Sequence, residues 1–291
     1  MDNRLLAIAD KLIKDHSLSL TEYEELILGY DEEIKEYLRT NAEKVRKSVY
    51  GNQVFIRGLI EISNVCKNNC YYCGIRGGNE NCQRYRLIHE EIMLSCVKGY
   101  DSGFRTFVLQ GGEDGYYTDE FLCDLIREIK EKCPDCAVTL SLGERSRLSY
   151  TRLFYAGADR YLLRHEAADK ELYEKLHPQE MSFENRMECL KNLKEIGYQV
   201  GCGFMVGAPY QTAAHIAKDL KFIEEFKPDM CGIGPFIPHK DTIFVNEKAG
   251  SADLTCYLLS IIRLIHPNIL LPATTALSTV SDDGRERGIL S

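Results

Sequence analysis

The sequence has no tryptophan, no long apolar run and no run of Lys and Arg residues. A membrane-spanning helix needs about 20 consecutive apolar residues, so we expect no membrane partner. The stretch 1–16 is amphipathic and contains acidic residues, so it is not expected to be a signal peptide, and a cytoplasmic location is the expectation. The net charge of −8 argues against nucleic acid as a partner, because phosphate contacts require a basic surface.

Cysteine, in contrast, is abundant, with twelve residues in the chain. The cytosol keeps thiols reduced, so we expect metal ligands, catalytic groups or buried packing residues rather than a disulfide framework. Cys133 and Cys136 form a CxxC pattern, but the proline between them favours a helix-to-strand turn with a structural role. Cys202 and Cys231 are predicted to pack inside the barrel as strand residues, and core or surface positions on helices are predicted for Cys96, Cys123, Cys189 and Cys256.

The first part of the chain is predicted to be helical. Apolar residues recur at helical spacing through residues 4–48, and Thr21 with Glu24 fits a capping box. Gly51 is a plausible helix stop. We therefore expect two parts, a helical extension over 1–50 and a core domain over 51–291.

After residue 51, β-rich runs alternate with helical stretches. This alternation predicts βαβ units with a parallel sheet, and seven repeats favour an α/β fold of the TIM-like (β/α) barrel type, with a doubly wound sheet as the alternative. An eight-stranded barrel would lack its last strand, so we expect either a C-terminally truncated chain or a natural partial barrel. The predicted strands are 54–63, 106–111, 137–143, 160–166, 199–207, 230–237 and 269–276. The predicted helices are 89–103, 118–132, 146–156, 169–176, 182–197, 212–226 and 252–265.

The segment ISNVCKNNCYYCGIR, residues 62–76, places three cysteines directly after the first predicted strand. Thiolates of Cys66, Cys70 and Cys73 on one tight loop can bind three irons of a 4Fe–4S cube and leave the fourth iron open. The alternative is a structural zinc site, which requires four ligands. The nearest fourth candidate, Cys82, follows a polar loop, so zinc is the weaker interpretation.

This CxxxCxxC pattern resembles that of the radical S-adenosylmethionine (SAM) superfamily. The resemblance implies one 4Fe–4S cluster, SAM chelated by the open iron, and reductive SAM cleavage to a 5′-deoxyadenosyl radical. It also implies that Tyr72 lies near the adenine of SAM. A second shared feature is the glycine-rich LQGGEDGYY segment after the second strand, where Gly111, Gly112 and Glu113 are the predicted SAM-binding residues.

Further segments resemble the HydE family of FeFe-hydrogenase H-cluster maturases, in the biotin synthase-like group. They are TLSLGE, GADRYLLRHE, SFENR, GIGPFIPHKDT and LPATTA, and the resemblance runs from about residue 50 to the end of the sequence. It implies an iron-complex or small-molecule substrate, an electron donor of the reductase or ferredoxin type, and other hydrogenase maturases as partners. Some family members have a second cluster on C-terminal cysteines whose positions this sequence lacks.

Site roles follow from the resemblance. Glu166, predicted to end the fourth strand, and Arg186, in SFENR, are expected to bind SAM, with the guanidinium on the SAM carboxylate. For Ser141, SAM binding and a buried structural hydroxyl are equally good interpretations.

Three residues are predicted to face the substrate. Arg164 suits an anionic substrate, whereas the neighbouring His165 is interpreted as structural. Thr274 and Thr275 are predicted to end the seventh strand and to face the substrate cavity, with ordinary strand packing as the alternative.

Two alternative functions remain. One is another biotin synthase-like radical SAM reaction, such as methylornithine or biotin synthesis. The other is a non-catalytic iron–sulfur or zinc scaffold protein.

Overall fold

Strands and helices alternate from Gly58 onward in the computed structural model, which describes residues 2–290. The strands are β1 Gly58–Ser63, β2 Thr106–Gly111, β3 Ala137–Ser141, β4 Arg160–Leu162, β5 Gln199–Cys202, β6 Met205–Val206, β7 Met230–Cys231 and β8 Gly234–Pro235. The helices are α1 Asn3–Asp15, α2 Leu20–Leu28, α3 Glu32–Tyr50, α4 His89–Asp101, α5 Asp119–Lys132, α6 Arg147–Ala156, α7 Lys170–Leu176, α8 Phe183–Ile196, α9 Ala213–Phe226, α10 Ala252–Ile265, α11 Thr275–Val280 and α12 Gly284–Leu290.

The main sheet is parallel and has six strands in the order β1-β2-β3-β4-β5-β7. A doubly wound sheet reverses its strand order at a switch point, and this order never reverses. Right-handed crossovers then place all connecting helices on one face, as in a TIM-like barrel. The prediction of a TIM-like α/β fold is confirmed. The apolar residues on one face of the sheet form a continuous core with the helices.

Several predicted strands are shorter than expected, because the backbone breaks at two glycines. The predicted strands 199–207 and 230–237 each divide into two short pieces, interrupted at Gly203 and Gly232. A Cβ on Gly203 would lie 2.0 Å from the carbonyl oxygen of Gly232. The backbone segments at these two glycines therefore cross in close contact. After this crossing, β6 and β8 pair in a separate two-stranded sheet.

The seventh predicted strand, 269–276, is wrong. Only one parallel bridge forms there, between Met230 and Leu270. Pro272 cannot donate a ladder hydrogen bond, and Thr274 is already the N-cap of α11. In residues 2–290, β1 and β7 are therefore the edges of the main sheet.

The first three helices pack on the outside of the barrel helices, α2 on α9 and α3 on α10. The capping box of α2 is formed by Ser19 and Glu22, so the prediction that Thr21 and Glu24 form it is wrong by two residues. Gly51 does end α3, with a φ of 60°. No helix between residues 2 and 290 is both long and apolar enough to cross a membrane.

One carboxylate joins these helices to the barrel. Glu224 of α9 accepts hydrogen bonds from Ser17 Oγ at 2.7 Å, from the Leu18 amide at 3.3 Å, from Tyr23 Oη at 2.7 Å and from Lys221 Nζ at 2.5 Å. Burial opposes ionisation, but the hydrogen bonds outweigh it and lower the pKa of Glu224.

We expect Glu224→Ala to lower the free energy of unfolding by about 2 kcal/mol at neutral pH, because the partners lose their acceptor. Since the folded pKa is lowered, the ionised carboxylate stabilises the fold above its unfolded pKa and loses this effect as the pH falls. Urea unfolding across the acidic range should therefore show the two proteins converging. The exposed neighbour Glu225 supplies the control, since Glu225→Ala should change stability by less than about 0.5 kcal/mol.

Candidate functional site

The three motif cysteines lie on the loop between β1 and α4, residues 64–88. Cys66, Cys70 and Cys73 are free thiols, each half-buried. The loop leaves the carboxyl end of a parallel strand, which is the end where sites form in α/β barrels.

This cysteine loop is attached to the loop that follows β2. Lys67 donates its amide hydrogen to the Glu113 carbonyl at 3.1 Å, and the Glu113 amide donates to Cys66 Sγ at 3.4 Å. A Cβ on Gly112 would lie 2.3 Å from the Val65 carbonyl oxygen and 2.6 Å from Cys66 Cβ. Only glycine permits this approach, so the predicted glycine-rich segment positions Cys66.

On its other side, the cysteine loop contacts the connection between α7 and α8. Tyr71 donates its amide hydrogen to the Leu176 carbonyl at 3.0 Å. Cys70 Sγ lies 3.5 Å from Met181 Sδ.

Tyr72 is fixed by a buried histidine that the sequence did not reveal. His177 Nδ1 lies 2.8 Å from the Tyr173 carbonyl oxygen, and Nε2 lies 3.1 Å from Tyr72 Oη. Because a carbonyl only accepts, Nδ1 bears the proton and Nε2 accepts from the tyrosine. Burial lowers the pKa of His177 to about 4, so the ring is neutral at neutral pH.

The thiols are set in a low-dielectric environment. Burial raises the pKa of Cys70 to about 12 and also raises that of Cys73. Coordination by a metal centre removes such protons outright. Within residues 2–290, no group of three His, Cys, Asp or Glu side chains is placed to share one metal ion. A 4Fe–4S cube does not need that arrangement, since each thiolate binds a different iron.

Buried charged groups without full hydrogen bonding lie beside the cysteine loop. Glu166 is buried with a φ of 64°, and its Oε2 has no hydrogen-bond partner. Arg164 Nη2 lies 3.5 Å from that oxygen and also lacks a hydrogen bond. The prediction that Glu166 ends β4 is wrong, because β4 ends at Leu162 and Glu166 forms only an isolated bridge with Phe204.

Arg186 is the second cation of this cluster and is itself buried. Its Nη1 donates to the Arg164 carbonyl at 3.2 Å. Its Nε lies 2.7 Å from Glu144 Oε1, but without the angle of a hydrogen bond. Burial opposes the charge, yet Tyr173 and Glu144 outweigh it and raise the pKa of Arg186. Arg186 therefore stays positive, and it acts electrostatically on the Cys70 thiol.

The carboxylate of Glu113 is occupied by the protein itself. It accepts from the Glu144 amide at 2.8 Å and lies 3.2 Å from Lys67 Nζ. Gly111 ends β2 opposite Ser63, and Ser141 ends β3. All three stay predicted SAM-binding residues, with Glu113 contributing through its backbone position.

The two predicted substrate threonines separate in the structure. Thr274 occupies the N-cap position of α11, but its Oγ1 donates to the Ile233 carbonyl at 3.3 Å instead of capping the helix. Thr275 is exposed in the first turn of that helix. Neither ends a strand, so that expectation is corrected.

His165 is fully buried, as its structural interpretation requires. Its Nε2 lies 3.2 Å from Asp219 Oδ1, and its Nδ1 accepts from the Gly203 amide at 3.3 Å. Burial raises the pKa of Asp219, although His165 opposes the shift.

The CxxC cysteines lie away from the motif cysteines. Cys133 caps the end of α5 and accepts, through its carbonyl, from the Cys136 amide at 3.0 Å. Both are buried, directly before β3 begins at Ala137. This is the amino end of the strands, opposite the cysteine loop.

Sequence reasoning missed residues whose partners are distant in the chain or are backbone atoms. In the GGED segment it selected Glu113, whereas Asp114 makes more bonds, accepting from Ser63 Oγ and Arg86 Nε at 2.7 Å each. Arg84 was missed because all its partners are main-chain carbonyls.

Comparison with known proteins decides the family. The model of the radical SAM superfamily matches residues 60–223. The chain belongs to the radical SAM superfamily. Radical SAM enzymes bind a 4Fe–4S cluster and SAM, and this chain is such an enzyme.

This radical SAM protein is similar to two curated relatives and one solved structure. It is 48% identical to the FeFe-hydrogenase maturase subunit HydE of Thermotoga maritima, over 88% of this chain and 73% of the relative. It is 32% identical to 3-methylornithine synthase of Methanosarcina acetivorans, over 93% of this chain and 77% of that protein. The crystal structure of methylornithine synthase (PylB) superposes with a TM-score of 0.86 at 28% identity, covering 97% of this chain and 83% of that one.

The residues present fit the cofactors of this radical SAM family. The cysteine loop offers three thiols, and the loop after β2 approaches it closely at Gly112. Beside it, Arg164, Glu166 and Arg186 have buried polar atoms without hydrogen bonds, which a charged ligand could satisfy.

We expect Gly112→Ala to displace Cys66 and to reduce the iron bound after anaerobic reconstitution. Overpacking of this kind costs about 1–3 kcal/mol of stability. The control is Gly115→Ala in the same segment, where nothing lies within 4 Å of the added Cβ. Equal iron content in the two variants would show that the close approach at Gly112 is not needed.

Proposed function

We propose that Cys66, Cys70 and Cys73 bind three irons of a single 4Fe–4S cluster and leave the fourth iron to SAM. The observation that supports this most directly is the juxtaposition of three thiols with a set of buried, incompletely bonded charges. When bound, the cluster supplies the electron that cleaves SAM to a 5′-deoxyadenosyl radical.

Residues of the protein bind and orient SAM for this cleavage. Arg186 stays positive and directs its guanidinium at the SAM carboxylate. Glu166 offers a buried carboxylate oxygen to a cationic group of SAM. Tyr72, held by His177, contributes a fixed aromatic ring for the adenine. Gly111, Gly112 and Ser141 lie at the ends of β2 and β3 and complete this surface.

A structural zinc site is the weaker alternative for these cysteines. Zinc needs ligands that converge on one ion, and residues 2–290 show no such group. Cys82, the candidate fourth ligand, instead accepts a hydrogen bond from Asn64 Nδ2 at 3.6 Å.

The test is anaerobic reconstitution followed by dithionite and SAM. We expect 5′-deoxyadenosine from the wild-type protein and background levels from Cys66→Ala, because each thiolate binds its own iron. Cys82→Ala is the matched control on the same loop and should retain the wild-type yield. If Cys82→Ala abolished product and metal binding together, a four-cysteine metal site would replace this proposal.

We infer further that the radical acts on an iron-bound or small-molecule precursor in the assembly of the FeFe-hydrogenase H-cluster. The support is the 48% identity to HydE, together with the half-buried Arg164, whose free guanidinium hydrogens suit an anionic substrate. Thr274 is the second candidate substrate contact. The partners would be other hydrogenase maturases and an electron donor of the reductase or ferredoxin type.

Methylornithine synthesis is the second candidate, favoured by the superposition on PylB. Expression in a host that lacks its own HydE separates the two functions. We expect the chain to restore hydrogenase activity and Arg164→Gln to lower that activity at least about tenfold, since a buried anion would lose its charged partner. Formation of 3-methylornithine without restored hydrogenase activity would assign the second function.

A further inference from the structure

Arg84 makes an unusual set of contacts at the end of the cysteine loop. Its Nη1 donates to the carbonyl oxygens of Asn64 at 2.5 Å and Ile75 at 2.8 Å. Its Nη2 donates to those of Arg76 at 2.6 Å and Asn79 at 3.2 Å. All four hydrogens of the two terminal nitrogens are therefore directed at main-chain acceptors.

The four carbonyls bracket the motif cysteines. Asn64 stands just before Cys66 in the sequence, and Ile75 and Arg76 stand just after Cys73. The Arg84 guanidinium thus joins the segment before Cys66 to the segment after Cys73. These contacts fix the distance between the two ends of the segment that bears the three thiols.

The segment between these points has few backbone bonds of its own. Cys73 donates its amide hydrogen to the Cys70 carbonyl at 3.2 Å, and Gly77 donates to the Asn68 carbonyl at 2.7 Å. Within residues 2–290, the carbonyls of Asn64, Ile75 and Asn79 accept no backbone hydrogen bond, and only that of Arg76 also accepts from a backbone amide, that of Asn79 at 3.0 Å. The guanidinium therefore replaces most of the hydrogen bonding that a regular element would supply.

We propose that Arg84 is a positioning residue that clamps the cysteine loop in its cluster-binding form before any iron is bound. The inference rests on the proposed function of Cys66, Cys70 and Cys73. A loop held in this form gives up little conformational entropy when the cluster binds. The contacts are with neutral carbonyls, so the shape of the donor group matters as well as its charge.

The charge and the clamp can be separated by substitution. Arg84→Lys keeps a positive charge, but its three donors sit on one nitrogen and cannot span four separated carbonyls. Arg84→Met removes both. Arg105 supplies the control, because its Nη1 also donates to two carbonyls, of Tyr100 at 3.1 Å and Phe104 at 2.9 Å, at the amino end of β2.

The first measurement is amide hydrogen exchange of the metal-free protein. We expect Arg84→Lys and Arg84→Met to accelerate exchange at residues 66–79 by at least about tenfold, with β2 and β3 unchanged. Arg105→Lys should leave the cysteine loop as in the wild type. The second measurement is iron per chain after anaerobic reconstitution, which should fall in both Arg84 variants and not in Arg105→Lys.

Two outcomes would overturn the role of Arg84 as a clamp. Wild-type exchange and iron content in Arg84→Lys would show that only the charge matters. Equal acceleration in the loop and in the strands would make Arg84 a general stability residue. Failure of the wild-type protein to take up iron would instead contradict the cluster proposal itself, and the exchange data of the metal-free protein would still decide the clamp.

Discussion

The site depends on the parallel pairing of β1 with β2. That pairing aligns Ser63 with Gly111. The cysteine loop after β1 therefore meets the glycine-rich loop after β2 at the carboxyl end of the sheet. The approach is one of backbone to backbone, since a side chain at Gly112 would overlap Val65 and Cys66. The position of Cys66 is thus set by main-chain geometry before any ligand is considered.

The neighbouring charged groups lower the stability of the fold at the carboxyl end of the sheet. A buried polar atom without a hydrogen bond costs about 1–3 kcal/mol, and Arg164, Glu166 and Arg186 all have such atoms. Asp114, in contrast, is satisfied by Ser63 and Arg86, although Arg46, Arg145 and Arg263 also have a buried Nε without a hydrogen bond. Arg164, Glu166 and Arg186 are grouped together, and the presence of both signs of charge suits a ligand that is itself both anionic and cationic.

The sequence allowed prediction of those features that depend on local patterns. The helices of the barrel follow from their periodicity and caps, and the cysteine spacing alone indicated a cluster on the loop after β1. The end of the chain was predicted less well, because Thr274 has the β-branched side chain typical of a strand but occupies the N-cap position of a helix. His177 and Arg84 could not be found from spacing, because their roles depend on tertiary contacts with Tyr72 and with loop carbonyls.

The left-handed backbone of Glu166 shows how such tertiary contacts direct a site residue. A non-glycine residue at a φ of 64° is strained and persists only where its surroundings enforce it. Here the Glu166 amide donates to the Gly203 carbonyl at 3.0 Å, while the Gly203 amide donates to His165 Nδ1, and His165 in turn lies against Asp219. Gly203 is also the point where β5 ends, because its backbone crosses Gly232 too closely for any side chain. The break in the sheet, the buried histidine and the orientation of the Glu166 carboxylate are therefore parts of one arrangement, and the crossing of two glycines is what makes it possible.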